Sequence, residues 1–248
     1  MENFSVTFVI GAANESDALK QTVKKIIGAC HSEDIAKILL VYSPHSPKEC
    51  VSAIREIQAD YPGTVLGLKQ TRQYVGGAIQ DGFDKAHSSH IMLLPGDLAV
   101  DLNAVPLLIE KEKNNPTGIV KVSRWLKKGA FHGYPPVKKF LNATAQVFLR
   151  CLYQTDLTDM TNPVQIMPTS LYRQIDWKEL NFPFLIELVL CPLRLGIDIT
   201  EISTACFGRT QGKSNNSFWQ TALYLKTALR VRFTKPEKLL KQTERKNK

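Results

Sequence analysis

Short apolar runs recur along the first half of the chain, each separated from the next by a segment with helical spacing. Residues 5–10 (SVTFVI), 38–42 (ILLVY), 64–68, 90–94 (HIMLL) and 118–122 have the length of strands. Between the first two, residues 18–27 put Leu19, Val23, Ile26 and Ile27 on one helical face, and further helices are predicted near 51–57, 77–86 and 104–113. Asp101 or Asn103 is placed to cap the last of these. Near-continuous apolar strands alternating with amphipathic helices dictate an α/β fold, a mostly parallel sheet covered on both faces. Ligands of such sheets sit beyond the carboxyl ends of the strands, here residues 11–15, 43–47 and 95–97.

The second half departs from strict alternation. A long helix is predicted over 137–153, a short strand over 164–167, a helix over 182–195 and a strand pair over 197–207. The last helix, 217–233, opens on the capping pair Ser217 and Gln220. Its residues Phe218, Ala222, Leu225 and Leu229 line one face, with Trp219 and Leu223 widening it and Lys226, Arg230 and Arg232 beside it. Such a basic amphipathic helix is expected to dock on an anionic membrane surface. No linker divides the chain, so one domain over 1–233 and a basic tail over 234–248 are expected.

Charge is unevenly placed. From Arg209 onward there are 11 Lys/Arg against 2 Asp/Glu, a balance equal to the +9 of the whole chain, so residues 1–208 are neutral. A basic end on a neutral body points to one localised anionic partner: a phosphate, an acidic membrane or a nucleic acid. The tail lacks aromatic stacking platforms, so nucleic acid is not expected. Five scattered cysteines, never in a Cys-x-x-Cys pair, argue against a disulfide framework or a structural zinc site and fit a reducing compartment. The acidic N-terminus reaches only a strand-length apolar run, which is not a signal peptide. No run of about 18 apolar residues exists to span a membrane. A cytoplasmic protein, peripheral at the inner face of a membrane, is the expectation.

Several familiar signatures fail. Residues 208–214 (GRTQGKS) follow a strand and precede a helix as a P-loop does, but three residues separate the glycines where the P-loop needs four. The segment still offers Arg209, Lys213 and backbone N–H groups at a glycine turn before a helix, which is anion-binding chemistry. His87 and His90 have no third metal ligand in view. There is no Gly-x-Ser-x-Gly elbow and no Gly-x-Gly-x-x-Gly after the first strand.

A series of matches in fixed order is more informative. The first strand leads to Ala12, Ala13, Asn14 and Glu15; Tyr74 to Gly82 reads YVGGAIQDG; the fourth strand runs into Pro95, Gly96, Asp97 and Leu98. Then come Asp159, Asn162 and Gln165, then Glu187 and Leu188 with Leu195, Gly196 and Glu201, and finally Arg209, Gly212 and Ser214. From Phe4 to about Phe233 this resembles the dolichyl- and polyprenyl-phosphate sugar synthases of glycosyltransferase family 2, which have a GT-A fold. Departures are specific. The family's Asp-Asp-Gly-Ser after the second strand is replaced around Ser43 and Pro44, the first Asp of its Asp-x-Asp is Pro95, and the polar residue two beyond that motif is Ala99.

The resemblance implies inverting transfer of a sugar from a nucleotide-sugar to a lipid phosphate or glycolipid acceptor. It implies donor contacts at Ala12, Asn14, Glu15, Ser43, Gly76 and Asp97, and catalytic roles for Asp97, Asp159 and Arg209. Arg124, Lys139 and Glu187 join them, and loop chemistry adds Lys213 and Ser214. A phosphate acceptor is already nucleophilic at neutral pH, its second pKa being near ~6, and needs no base; for a hydroxyl acceptor Asp159 is the candidate base. Asp97 alone is a weak site for Mg2+ or Mn2+, since such ions favour several oxygen ligands. Two alternatives remain: a family-2 fold that binds without catalysis, and a nucleotidyltransferase, although residues 11–16 lack the cation a nucleotidyltransferase loop requires.

Overall fold

The computed structural model describes residues 4–207 and 218–242. The alternation of the first half becomes β1 (Val6–Ala12), α1 (Asp17–Ala29), β2 (Ile35–Tyr42), α2 (Lys48–Asp60), β3 (Val65–Lys69), α3 (Tyr74–Asp84), β4 (His90–Pro95), α4 (Ala104–Asn114) and β5 (Ile119–Ser123). The second half supplies β6 (Phe131–His132), α5 (Pro136–Tyr153), β7 (Gln165–Pro168), α6 (Thr169–Gln174), α7 (Phe184–Arg194), β8 (Ile199–Ser203), β9 (Cys206–Phe207) and α8 (Phe218–Phe233). A seven-stranded sheet runs in the order β3-β2-β1-β4-β7-β5-β8, and β6 pairs with β9 in a separate ribbon. All neighbours in the large sheet are parallel except β7, which is antiparallel to β4 and β5.

Successive side chains of a strand face opposite sides, and β1 shows why the sheet needs helices on both. Phe8 and Ile10 pack among Leu19, Val23 and Ile26 of α1, Ile54 and Ile57 of α2 and Leu108 of α4. Val9 faces the other layer, with Ile79 and Phe83 of α3 and Leu188 and Val189 of α7. Gly82 lets α3 lie close: a Cβ there would stand 2.5 Å from a Val9 methyl.

A proline inside α7 is accommodated by the sheet. Pro192 has no N–H to give the carbonyl four residues earlier. That carbonyl, of Leu188, instead accepts the Gln165 side-chain amide from β7 at 3.2 Å. An orphaned backbone acceptor thus takes up an N–H of a buried strand amide.

The predicted apolar residues Ala222, Leu223, Leu225 and Leu229 of the final helix face outward. Thr227, Ala228 and Val231 are buried, whereas Leu225 and Leu229 are exposed. Asp101 serves the entry to α4: its Oδ1 accepts the Asn103 N–H at 3.0 Å and its carbonyl accepts that of Ala104. The capping pair expected at Ser217 lies outside the described residues.

At the opposite end of the sheet from the strand tips, the Glu112 carboxyl of α4 is fully buried, with His90 Nε2 3.4 Å away. Burial pushes the carboxyl up to about 9 and pushes the imidazole down, so near neutrality both are uncharged. The folded protein therefore holds a proton that the unfolded chain releases above its ordinary carboxylate range. Stability should decline as pH rises from about 4.5 to about 9 and level off beyond. Glu112→Gln, neutral at every pH, should remove this part of the slope, read by denaturant titration across that range.

Candidate active site at the strand ends

β1 pairs with β2 and β4 on either side, so their carboxyl ends open side by side: Ala12 is in register with Tyr42, and Gly11 with Pro95. The three segments expected to form the cleft, at Gly11–Glu15, Ser43 and Asp97, are brought together. Side chains lace the first two: Ser46 Oγ donates to the Ala12 carbonyl at 3.4 Å and accepts the Ser43 N–H at 3.1 Å. Gly96 sits so close to β1 that a Cβ would meet the Gly11 carbonyl oxygen at 2.9 Å. Glu15 turns its carboxylate back onto the Ala13 and Asn14 N–H groups, at 2.8 and 2.9 Å. Asp97, partly exposed, accepts the Ala99 N–H at 3.1 Å across Leu98, whose φ is +57°.

The next shared feature lies at the end of β5. Arg124 grips Asp159 with two parallel hydrogen bonds, Nε to Oδ2 at 2.6 Å and Nη2 to Oδ1 at 2.8 Å. Asp159 is fully buried. Its Oδ1 also accepts the Gln146 amide and the Asn162 N–H, and the Lys121 ammonium donates to its carbonyl. Glu201 of β8 holds the same loop from behind, accepting the Thr158 and Asp159 N–H groups at 2.6 and 2.8 Å. Burial alone would raise Asp159, but the charge and hydrogen bonds of Arg124, with Lys121, outweigh it and hold the carboxyl down at about 2.

Two predicted cations converge on one aromatic ring. The Lys139 ammonium lies 4.9 Å and the Arg124 guanidinium carbon 5.8 Å from the centre of Phe131. Phe131 belongs to β6, which pairs with β9 so that His132 stacks on Phe207. β9 is tied to the Asp97 turn through the Phe207 N–H to Ala99 carbonyl bond, 2.9 Å. Arg209 follows two residues later. It lies with Lys213 and Ser214 outside the described residues, but the chain enters that segment between Asp97 and the Phe131 cluster.

Three expected ligand contacts take other roles. Gly76 is buried against the backbone of Leu180 and the Cβ of Phe184, where an added Cβ would approach to 2.8 and 2.7 Å, so it carries close packing rather than ligand contact. Glu187 is fully buried, accepts the Lys178 and Glu179 N–H groups and pairs with Arg230 at 2.5 Å, joining α7 to α8. Asp159, inaccessible and held anionic by Arg124, is no base for an acceptor hydroxyl; it positions Arg124. Reading the sequence also missed Lys121, fully buried in mid-strand, and Phe131. Tyr74 has a φ of +63°, a left-handed conformation that glycine enters more readily.

The residues present do not by themselves fit a divalent ion. Asp97 is the single carboxylate of its turn, flanked by Pro95 and Ala99, and among the described residues no cluster of three His, Cys, Asp or Glu is placed to hold a metal.

A mostly parallel sheet with one antiparallel strand, and turns gathered over the carboxyl ends of β1, β2 and β4, define a GT-A-type architecture. The family model for glycosyl transferase family 2 matches residues 7–180, and the chain belongs to that family. Crystal structures of glucosyl-3-phosphoglycerate synthase from Mycobacterium tuberculosis share the fold. Its complex with Mn2+, uridine diphosphate and phosphoglyceric acid matches with a TM-score of 0.67 and 14% identity, over 93% of this chain and 79% of that one. The complex with Mn2+, UDP-glucose and phosphoglyceric acid matches with a TM-score of 0.67 and 14% identity, over 92% and 80%.

Removing one partner of a buried ion pair strands the other, at about 3–5 kcal/mol. Arg124→Ala and Asp159→Asn should each destabilise the fold on that scale. Because the folded carboxyl is depressed, the wild-type contribution is complete above its ordinary pKa and is lost as pH falls through about 2. Equilibrium unfolding at pH 7 and below pH 3 measures both effects: the gap between wild type and Asp159→Asn should shrink in acid.

Proposed function

We propose that this chain moves a sugar from a nucleotide-sugar, lying over the ends of β1, β2 and β4, to the phosphate of a lipid acceptor at an anionic membrane surface. What carries the reading is the exposed Lys139 ammonium over Phe131, beside the strand that leads into Arg209. An acceptor phosphate and a departing diphosphate both need such cations.

In the proposed reaction an acceptor phosphate oxygen attacks the anomeric carbon from the face opposite the leaving group. The new C–O bond forms as the bond to the diphosphate breaks, and the leaving nucleoside diphosphate takes the electron pair. No proton need be removed, because the acceptor is already anionic near pH 7. This suits a site whose most acidic buried carboxylate is committed to Arg124. Lys139, exposed at the start of α5, and Arg209 neutralise the phosphates, and Lys213 and Ser214 add donors. Ser43 stands at the base side of the donor. A basic, outward-facing α8 supports a membrane-associated acceptor, and no helix among the described residues is long and apolar enough to cross a membrane.

A second reading is favoured by the missing carboxylates at positions 43 and 95: a family member that binds a nucleotide-sugar without transferring it. A thermal-shift panel of nucleoside diphosphates, with and without manganese, followed by transfer to a polyprenyl phosphate separates the two. Binding without transfer supports the second; the absence of both sinks the donor site.

With Asp97 alone at its turn, calorimetry should find no micromolar manganese site in the protein free of nucleotide. Arg209 should matter most. A guanidinium grips phosphate with two parallel hydrogen bonds that an ammonium cannot reproduce. Arg209→Lys should lose much of the transfer activity and Arg209→Ala nearly all, with the melting temperature unchanged. A lower melting temperature with turnover per folded molecule intact would make Arg209 a purely structural residue.

A further inference from the structure

α5 is turned inside out. An amphipathic helix on a globular domain ordinarily buries its apolar stripe and shows its polar one to water. Here the inward positions include two amides. Asn142 bonds Thr161 and the Trp125 indole, and Gln146 bonds Asp159, Thr161 and the Met160 N–H. The outward positions are apolar: Val137, Phe140, Leu141, Val147 and Phe148 are 70, 71, 57, 60 and 43% exposed. They recur at intervals of three, four and seven between Val137 and Phe148, a stripe about 17 Å long on this helix. The buried Arg124–Asp159 network accounts for the amides facing in. Within the described structure, nothing covers the stripe.

Charge indicates what does. From Trp125 to Thr155 the chain carries five Lys/Arg and no Asp or Glu. All five, Lys127, Lys128, Lys138, Lys139 and Arg150, are exposed. The neighbouring α8, joined to α5 through Tyr153 to the Ala228 carbonyl and Arg232 to the Leu152 carbonyl, adds exposed Leu225, Leu229 and Phe233 with Lys226. A second copy of the chain would bring the same cations against these. An anionic lipid surface instead accepts the apolar side chains between its head groups and neutralises the cations around them.

We infer that the outward face of α5 is a docking surface for anionic lipid, with the helix lying in the interface. The choice of lipid rests on this charge pattern, whereas the acceptor proposed above rests on the Phe131 cluster. Lys139 stands at one end of the stripe, so a surface bound there lies next to that cluster.

Flotation of the full chain with vesicles tests the inference. Vesicles of phosphatidylcholine mixed with phosphatidylglycerol should carry the protein upward, and phosphatidylcholine alone should recover at least tenfold less. The double variant Phe140→Ser/Val147→Ser changes two exposed side chains, so its melting temperature should match the wild type while its recovery with mixed vesicles falls at least tenfold. Unchanged recovery of that variant would overturn the inference. So would light scattering that finds a wild-type dimer and a monomeric double variant, which would assign the stripe to a second copy. Nucleoside diphosphate binding, followed by thermal shift on the same variant, should be unaffected, so a failure of docking is distinguishable from a failure of the donor site.

Discussion

The ion pair between Arg124 and Asp159 is the joint on which the β5 side of the molecule is assembled. Asp159 sits in the loop between α5 and β7, and Arg124 follows β5. Glu201 of β8 braces that loop, and Gln146 docks α5 onto it. A charge with no access to water persists only when its hydrogen-bonding capacity is met, and here the donors to the Asp159 carboxylate come from the segment after β5, from α5 and from its own loop. The same requirement that draws Asn142 and Gln146 inward leaves the apolar residues of α5 outside. Electrostatics in the interior thus decides what the surface displays.

The ends of β1, β2 and β4 are organised by backbone instead. Parallel pairing aligns the ends of β1, β2 and β4, and the turns beyond them approach closely because Gly96 has no side chain. The carboxylates there are turned to local backbone, Glu15 to Ala13 and Asn14, Asp97 to Ala99. Ser43, Pro95 and Ala99 take the place of acidic or polar residues typical of the resembling synthases.

The α/β frame was legible in the sequence because a strand buried on both faces is written as an unbroken apolar run, and β1 and β4 are such runs. The strand over 164–167 was legible too, but its antiparallel insertion between β4 and β5 was not, since neighbours in a sheet are chosen by tertiary packing. The six-residue α6 and the two-residue β6 are too short to leave a periodic signal. At the site, residue types were readable and partners were not. Nothing local tells that Glu187 will meet Arg230, that Gly76 will lie under Phe184, or that Lys121 will be sealed in mid-strand. The outward apolar face of α8 could be drawn on a helical wheel, but which side meets α7 is decided by Thr227, Ala228 and Val231.

The proline of α7 makes two distant positions inseparable. Pro192 frees the Leu188 carbonyl, and Gln165 is the group that takes it up. Replacing Gln165 with an apolar residue leaves that carbonyl sealed in the core without a donor. Restoring an N–H at position 192 returns the carbonyl to its helix and strands the amide of Gln165 instead. Each change is costly alone and compensates the other when made together. The two positions are therefore energetically coupled, so a double-mutant cycle at 165 and 192 carries a favourable interaction term.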